Sequence, residues 1–255
     1  MGRVKCEIRD RVAIVSVGRP EALNALNREI VDEIEAVIDE LAADESVMAV
    51  VIGGTENFAA GADIKGLIEC DSEKARAFAF HDSYNKIMNL PVPTVAAIDG
   101  YALGGGLELA LACDMRIATE SAKMGLPEIN LGIMPGASGT IRLPRLVGYA
   151  KACELILSGA VINAQEAEKI GLVNQIVPKE ELMPTAMKWC QKFAAKGRIS
   201  LVTAKKTIAK GLTFPTVEEA GRYEADEWAK LFDTEDQKEG MRAFVEKRKP
   251  VFTGK

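Results

Sequence analysis

Histidine is almost missing from this chain of 255 residues, with His81 standing alone. That excludes metal centres built on several imidazoles, and every Ser-His-Asp or Cys-His arrangement that does not use this one residue. His81 falls in Ala75–Leu90, where apolar spacing is helical, and reads as a helix-surface or packing residue. Cysteine is sparse as well: Cys6, Cys70, Cys113, Cys153 and Cys190 are odd in number and scattered. No disulfide framework follows, and reduced thiols in or near the core of a cytoplasmic protein are expected. Positive charge is in deficit, 32 Lys and Arg against 37 Asp and Glu, for a net charge of −5. Such a balance argues against general affinity for nucleic acid or acidic membranes.

Long hydrophobic runs are lacking too. The most apolar long window contains Asp99 and Glu108, so no membrane span is expected. Arg3, Lys5, Glu7 and Arg9 interrupt any Sec-type signal, and Cys6 stands where a myristoylation motif needs Ser or Thr. Several familiar signatures fail by one residue. Leu109 replaces the last glycine of a dinucleotide-binding GxGxxG, and Thr140 the closing glycine of a nucleophile elbow at Gly136–Thr140. Ser83-Tyr-Asn-Lys86 fits SxxK, which is too short to count, and there is no P-loop.

What is present is an alternation of strands and helices. Val4–Ile8 and Val12–Val17 read as a hairpin across Arg9-Asp10-Arg11. Asn24 or Asn27 caps a helix with Ile30, Val31, Ile34, Val37, Ile38 and Leu41 on one face. Val47–Ile52 and Val92–Ile98 read as buried strands, separated by a loop at Phe58–Lys65 and a helix over Ser72–Asn89. Arg116–Ala118 continues as a strand, and Lys123–Gly136 reads as a loop stiffened by prolines. Helices are expected at Thr140–Val147, Ala150–Leu157 and Ala164–Ile170, with a short strand at Val173–Val177. From Glu180 the pattern is helical throughout, with helices expected at Glu180–Lys196, Ser200–Lys210, Pro215–Phe232 and Thr234–Lys249. An α/β core at 1–195 with a largely parallel sheet, then a helical region at 196–255, is the expected organisation. An exposed apolar face on such a tail commonly packs against another subunit.

The chain is organised around Val95–Asp114, which reads as strand, glycine-rich turn and helix. Gly104, Gly105 and Gly106 let another molecule approach the backbone, and free N–H groups at the helix start suit an oxygen gaining negative charge. Glu108 sits among Leu107, Leu109, Ala110 and Leu111, and helical spacing offers it no ion-pair partner. It is either on a narrow solvated edge or a working acid or base. Glu128, after Pro127 and before Ile129, Leu131 and Ile133, poses the same choice in a loop too apolar to lie wholly in water. Two carboxylates beside backbone donors at Gly61-Ala62 and Gly104-Gly105, with no nucleophile or metal set, suit proton transfer next to a polarised carbonyl.

Five stretches, taken together and in order, resemble the crotonase (enoyl-CoA hydratase/isomerase) family over essentially the whole length. They are Arg19-Pro20 with Leu23-Asn-Ala-Leu26, Phe58–Lys65, Gly100–Glu108, Gly125-Leu-Pro-Glu128 and Glu239–Lys249. The likeness is strongest to bacterial short-chain enoyl-CoA hydratases. It implies an α/β spiral of ββα turns with a helical C-terminal region that drives trimer formation, often as a dimer of trimers. It also implies an oxyanion hole from the N–H groups of Ala62 and Gly105, and catalysis by Glu108 and Glu128. Ala60, Asp63, Ile64 and Lys65 would line the coenzyme A and acyl path, with Trp228 and Lys247 approaching it from the C-terminal helices. Coenzyme A would belong to the acyl-CoA substrate, with no further cofactor and no metal. Ser138 stands where many members have glycine, and Glu21 where some have a lysine near the phosphates. A Δ3,Δ2-enoyl-CoA isomerase, or a non-catalytic scaffold or RNA-binding relative, is the alternative; the net charge opposes RNA and the retained glutamate pair opposes a scaffold.

Overall fold

Asp10 and Arg11 both adopt left-handed backbone (φ 49° and 67°), the geometry a two-residue hairpin turn needs to match strand twist. They join β1 (Val4–Arg9) to β2 (Val12–Val17), paired antiparallel from Arg9↔Val12 to Val4↔Val17. This computed structural model describes residues 2–255. Asn27 caps α1 (Arg28–Ala43) by accepting the Ile30 N–H, and Ile30, Val31, Ile34, Ile38 and Leu41 are buried as their spacing predicts. Then come β3 (Ala49–Gly54), α2 (Ile64–Leu67), α3 (Ser72–Ala77), α4 (His81–Met88), β4 (Thr94–Ile98), β5 (Tyr101–Leu103) and α5 (Gly105–Leu111). They are followed by β6 (Met115–Thr119), β7 (Lys123–Gly125), α6 (Gly139–Val147), α7 (Tyr149–Ser158), β8 (Val161–Asn163), α8 (Ala164–Lys169) and β9 (Gln175–Val177). Four helices close the chain: α9 (Leu182–Ala194), α10 (Arg198–Gly211), α11 (Val217–Lys230) and α12 (Glu235–Val245).

The large sheet has the order β1-β2-β3-β4-β6-β9 and is parallel from β2 onward. A smaller sheet, β5-β7-β8, runs beside it. β4 with β5, and β6 with β7, are consecutive strands that enter different sheets before the next helix, which makes the chain a spiral of ββα turns. The parallel sheet is covered on both faces, so its strands are apolar at most positions, with Ser16, Thr94, Arg116 and Thr119 among the exceptions. Val50, Ile52 and Ile98 share one buried cluster with the apolar residues of α1 and α5, whereas Val51, Val95 and Ile117 share another with Leu182, Ala186 and Cys190 of α9. α10 docks below this core: Lys205 reaches Asp114 (2.7 Å) and the Val92 carbonyl (2.9 Å), and Arg198 the Val47 carbonyl (2.6 Å).

Three expectations change. The helix over 72–89 is two helices, because Phe80 turns left-handed (φ 39°). That turn buries its ring against Tyr84 and Phe78, at 5.9 and 6.2 Å between centroids. The 123–136 loop contains β7 and a 3-10 turn at Pro127–Leu131, and β5 and β8 are further strands. Strands of three residues are too short to show a period. The last helix stops at Val245, where Lys247 becomes left-handed (φ 54°). Arg248 there folds back onto Glu239, whose carboxyl its hydrogen bonds hold down at about 2. The cysteines are all free; Cys113 and Cys190 are buried, Cys70 and Cys153 half-buried and Cys6 exposed. Among the described residues, no helix is long and apolar enough to cross a membrane.

Candidate active site

α5 is preceded by Gly104 at its N-cap, whose backbone (φ 51°, ψ −127°) only glycine adopts without strain. Every residue of this helix is buried, so Glu108, one turn in, is buried with it at 2% exposure. Its partners come from far along the chain. Oε1 accepts the N–H groups of Ala137 and Gly139, each at 2.7 Å. A Cβ on Gly139 would lie 2.9 Å from that oxygen, so the close approach requires glycine there. The solvated-edge reading of Glu108 is thereby excluded. Burial pushes its carboxyl above the ordinary range; the two N–H bonds and the nearby Arg142 guanidinium offset part of that rise.

Glu128 rides the 3-10 turn that Pro127 starts, and its carboxyl lies over the same helix start. A Cβ on Gly104 would stand 2.9 Å from Glu128 Oε1. Its Oε2 is buried without a hydrogen-bond partner among the described residues. Burial, joined by the charge of Glu108 and opposed by its own backbone N–H, raises its pKa to about 7. The two carboxyls thus meet at one helix end in unlike surroundings: one is doubly hydrogen-bonded, the other open on one oxygen. Because its folded pKa is raised, the folded state binds the Glu128 proton more tightly than the unfolded chain. That contribution to stability is full below about pH 4.5 and is lost as pH rises through about 7. Glu128→Gln should therefore be more stable than the parent at pH 8, by on the order of 1–3 kcal/mol, and lose that advantage at pH 4.5. Thermal melts at the two pH values check this.

Gly61-Ala62 arrives next to Gly105 through a parallel bridge between Leu26 and Ala62. That bridge uses the Gly61 carbonyl, which accepts from Leu26 N at 2.8 Å, and the Asp63 N–H, which donates to Leu26 O at 2.8 Å. The Ala62 N–H takes no part in it. A Cβ on Gly105 would be 3.7 Å from Ala62 N, so these two backbone segments lie side by side. Tyr84, fully buried, donates its hydroxyl to the Gly105 carbonyl at 3.0 Å and braces this corner from α4.

The other expected residues are spread further. Ala60 is half-buried, with its N–H on the Leu23 carbonyl. Asp63 pairs with Arg19 at 2.8 Å and caps α2 through the Lys65 N–H; hydrogen bonding to Arg19 first holds its carboxyl below the usual range. Ile64 and Lys65 are exposed on that helix. Glu21 pairs with Arg3. Trp228 is largely exposed on α11, packs edge-on against Phe232 at 4.6 Å and lines a groove between α10 and α11 with Ile208 and Leu212. Lys247 lies exposed past the end of α12. The structure thus gathers Ala62, Gly105, Glu108 and Glu128, and sets Trp228 and Lys247 among residues of the helical tail. Residues that the sequence reading passed over are Tyr84, Ala137, Gly139 and Arg142. None carries a local signal, because each acts through a contact made only by folding.

Both the fold and this glutamate pair define a class. Residues 7–255 match the family described as Enoyl-CoA hydratase/isomerase, and the chain belongs to that family, the crotonases. It is 40% identical over 253 residues to the short-chain-enoyl-CoA hydratase of Clostridium acetobutylicum, covering 98% of this chain and 97% of the relative. The crotonyl-CoA hydratase of Syntrophomonas wolfei is 41% identical over 253 residues, with the same 98% and 97% coverage. Among solved structures, the enoyl-CoA hydratase from Bacillus anthracis superposes with a TM-score of 0.96 at 36% identity, over 99% of this chain and all of that one.

Proposed function

We propose that this chain is a short-chain enoyl-CoA hydratase, reversibly adding water across the 2,3 double bond of a trans-2-enoyl-CoA such as crotonyl-CoA. The observation that carries this is the pair of carboxyls, Glu108 and Glu128, at one helix end beside the Ala62 and Gly105 N–H groups. In this reading the thioester carbonyl accepts hydrogen bonds from those two donors, and electron density leaves C3. One water lies between the carboxyls, loses a proton and adds to C3, while C2 of the enolate gains a proton. Glu108, fixed through Oε1 and near Arg142, suits the base. Glu128, with a pKa of about 7, carries a proton part of the time at neutral pH and suits the acid at C2. Since they share a water they titrate as a pair, and the roles exchange in the dehydration direction.

Coenzyme A enters as part of the substrate, and the reading needs no separate cofactor and no metal. Ala60, Asp63, Ile64 and Lys65 are assigned to its path and that of the acyl chain. Trp228 and Lys247 are assigned to it from a neighbouring subunit. A trimer or dimer of trimers is supported by the exposed apolar residues Ile208, Leu212, Trp228 and Phe244 on the terminal helices. A cytoplasmic place in fatty acid or butanoate metabolism goes with this reading. Light scattering should find a trimer-based assembly at micromolar concentration; a stable monomer would remove that part.

The decisive experiment mixes the protein with crotonyl-CoA and follows the ultraviolet absorbance of the conjugated enoyl thioester. Loss of that absorbance is expected, and a flat trace sinks the proposal. If Lys65 meets phosphate, Lys65→Ala should raise KM by about tenfold and leave kcat nearly unchanged, as loss of uniform binding does. A lysine that is merely solvated would leave both parameters alone.

A further inference from the structure

Ala137 and Gly139 donate to one oxygen of Glu108 across a left-handed residue, Ser138 (φ 77°, ψ 15°). In that conformation the Cβ crowds the following carbonyl, so a serine stays there only when its surroundings hold it. The group that touches it is His81, with Nδ1 2.5 Å from Ser138 Oγ. The direction of every hydrogen bond in this corner is set from one end. Arg142 is a guanidinium and only donates: to the Ala137 carbonyl at 3.1 Å and to Asn85 Oδ1 at 2.7 Å. With Oδ1 so committed, Asn85 turns Nδ2 toward His81 Nε2 at 2.9 Å, and Nε2 accepts. The neutral imidazole then carries its proton on Nδ1 and donates it to Ser138 Oγ. Both branches from Arg142 end on the same turn, one on the Ala137 carbonyl and the other on the Ser138 hydroxyl.

We propose that His81 and Asn85 are positioning residues: with Arg142 they form a directed hydrogen-bond relay that holds Ser138 left-handed and keeps the Ala137 and Gly139 N–H groups on Glu108. His81 and Asn85 stand four residues apart on α4, on one side of the helix. Tyr84, between them, grips the Gly105 carbonyl. One helix therefore braces both the base and the neighbouring backbone donor. Glycine at 138 would need no such support, because it takes either sign of φ. The relay is thus the counterpart of having serine there. For its effect on rate, though not for the geometry itself, the proposal rests on the hydratase reading.

The test uses the full-length protein as His81→Ala, Asn85→Ala, Ser138→Gly and the His81→Ala/Ser138→Gly pair. Steady-state kinetics with crotonyl-CoA and hydrogen-exchange mass spectrometry over residues 133–141 are measured on each, with thermal melts to verify folding. His81→Ala and Asn85→Ala should each lower kcat about three- to tenfold, the scale of one unsupported left-handed side chain. KM should stay within about twofold, and exchange across 133–141 should quicken by a similar factor to the loss in kcat. With glycine already at 138, His81→Ala should change kcat by less than about twofold, because its target no longer needs holding. A role in general stability would instead lower the melting temperature equally in both backgrounds without this dependence on residue 138. Wild-type kcat and exchange in His81→Ala, or an equal loss with serine and with glycine, would overturn the relay. A parent protein that fails to hydrate crotonyl-CoA would remove the hydratase reading, and the exchange rates would then judge the relay by themselves.

Discussion

Glu108→Gln and Glu128→Gln are each expected to lower kcat for crotonyl-CoA hydration by on the order of 10²–10⁴, the usual worth of a positioned acid or base. Glutamine keeps the shape of the side chain and removes the ionisable proton. In Glu108→Gln the amide oxygen can still accept from Ala137 and Gly139, so the turn at 137–139 should stay in place. KM should move little, since neither carboxyl is assigned to coenzyme A. The double variant should fall well short of the product of the two losses, because the pair acts on one water as a unit. An isomerase working through one glutamate would behave differently: one substitution would be nearly silent toward a 3-enoyl-CoA, and the parent would hydrate slowly. Either single variant at the parent hydration rate would show that the two-carboxylate mechanism is wrong.

Gly104→Ala should be nearly as damaging by a different route. The residue has φ 51° and ψ −127°, so an alanine is strained before its surroundings are considered. Its Cβ would also lie 2.9 Å from Glu128 Oε1 and 3.4 Å from Glu128 Cδ, and that carboxyl would have to move. Displacing a reacting group by about an ångström costs on the order of 10² in rate. A loss of about 10² in kcat is therefore expected, with a melting temperature lowered by several degrees, read by steady-state kinetics and calorimetry. Full activity with alanine at 104 would mean that Glu128 does not work from where the structure puts it.

Much of the organisation was readable along the chain because it depends on neighbours. The hairpin at Arg9–Val12, the apolar face of α1 and the turn at Gly104 before α5 each follow from residues within one helical turn or one strand. Glu108 could likewise be singled out, since a carboxylate among leucines is costly wherever the helix lies. Its resolution could not be read that way. The N–H groups that satisfy it belong to residues 29 and 31 positions further on. No local pattern encodes which distant backbone will meet a given side chain.

The same division runs through the rest of the molecule. By itself the sequence determined the alternation of strands and helices, the helical tail and the identity of the two glutamates, because periodicity and side-chain chemistry are local properties. The tertiary structure decided where the helix over 72–89 breaks, since burying Phe80 against Tyr84 and Phe78 outweighs the strain of its left-handed backbone. It also created β5, β7 and β8, three-residue strands that owe their existence to partners already in place. Finally, it set the two carboxyls apart: packing gave Glu108 two peptide donors and a nearby guanidinium, and left Glu128 with a buried oxygen that no described residue satisfies. Desolvation depends on what surrounds a group in space, so that difference in proton affinity arises only once the chain is folded.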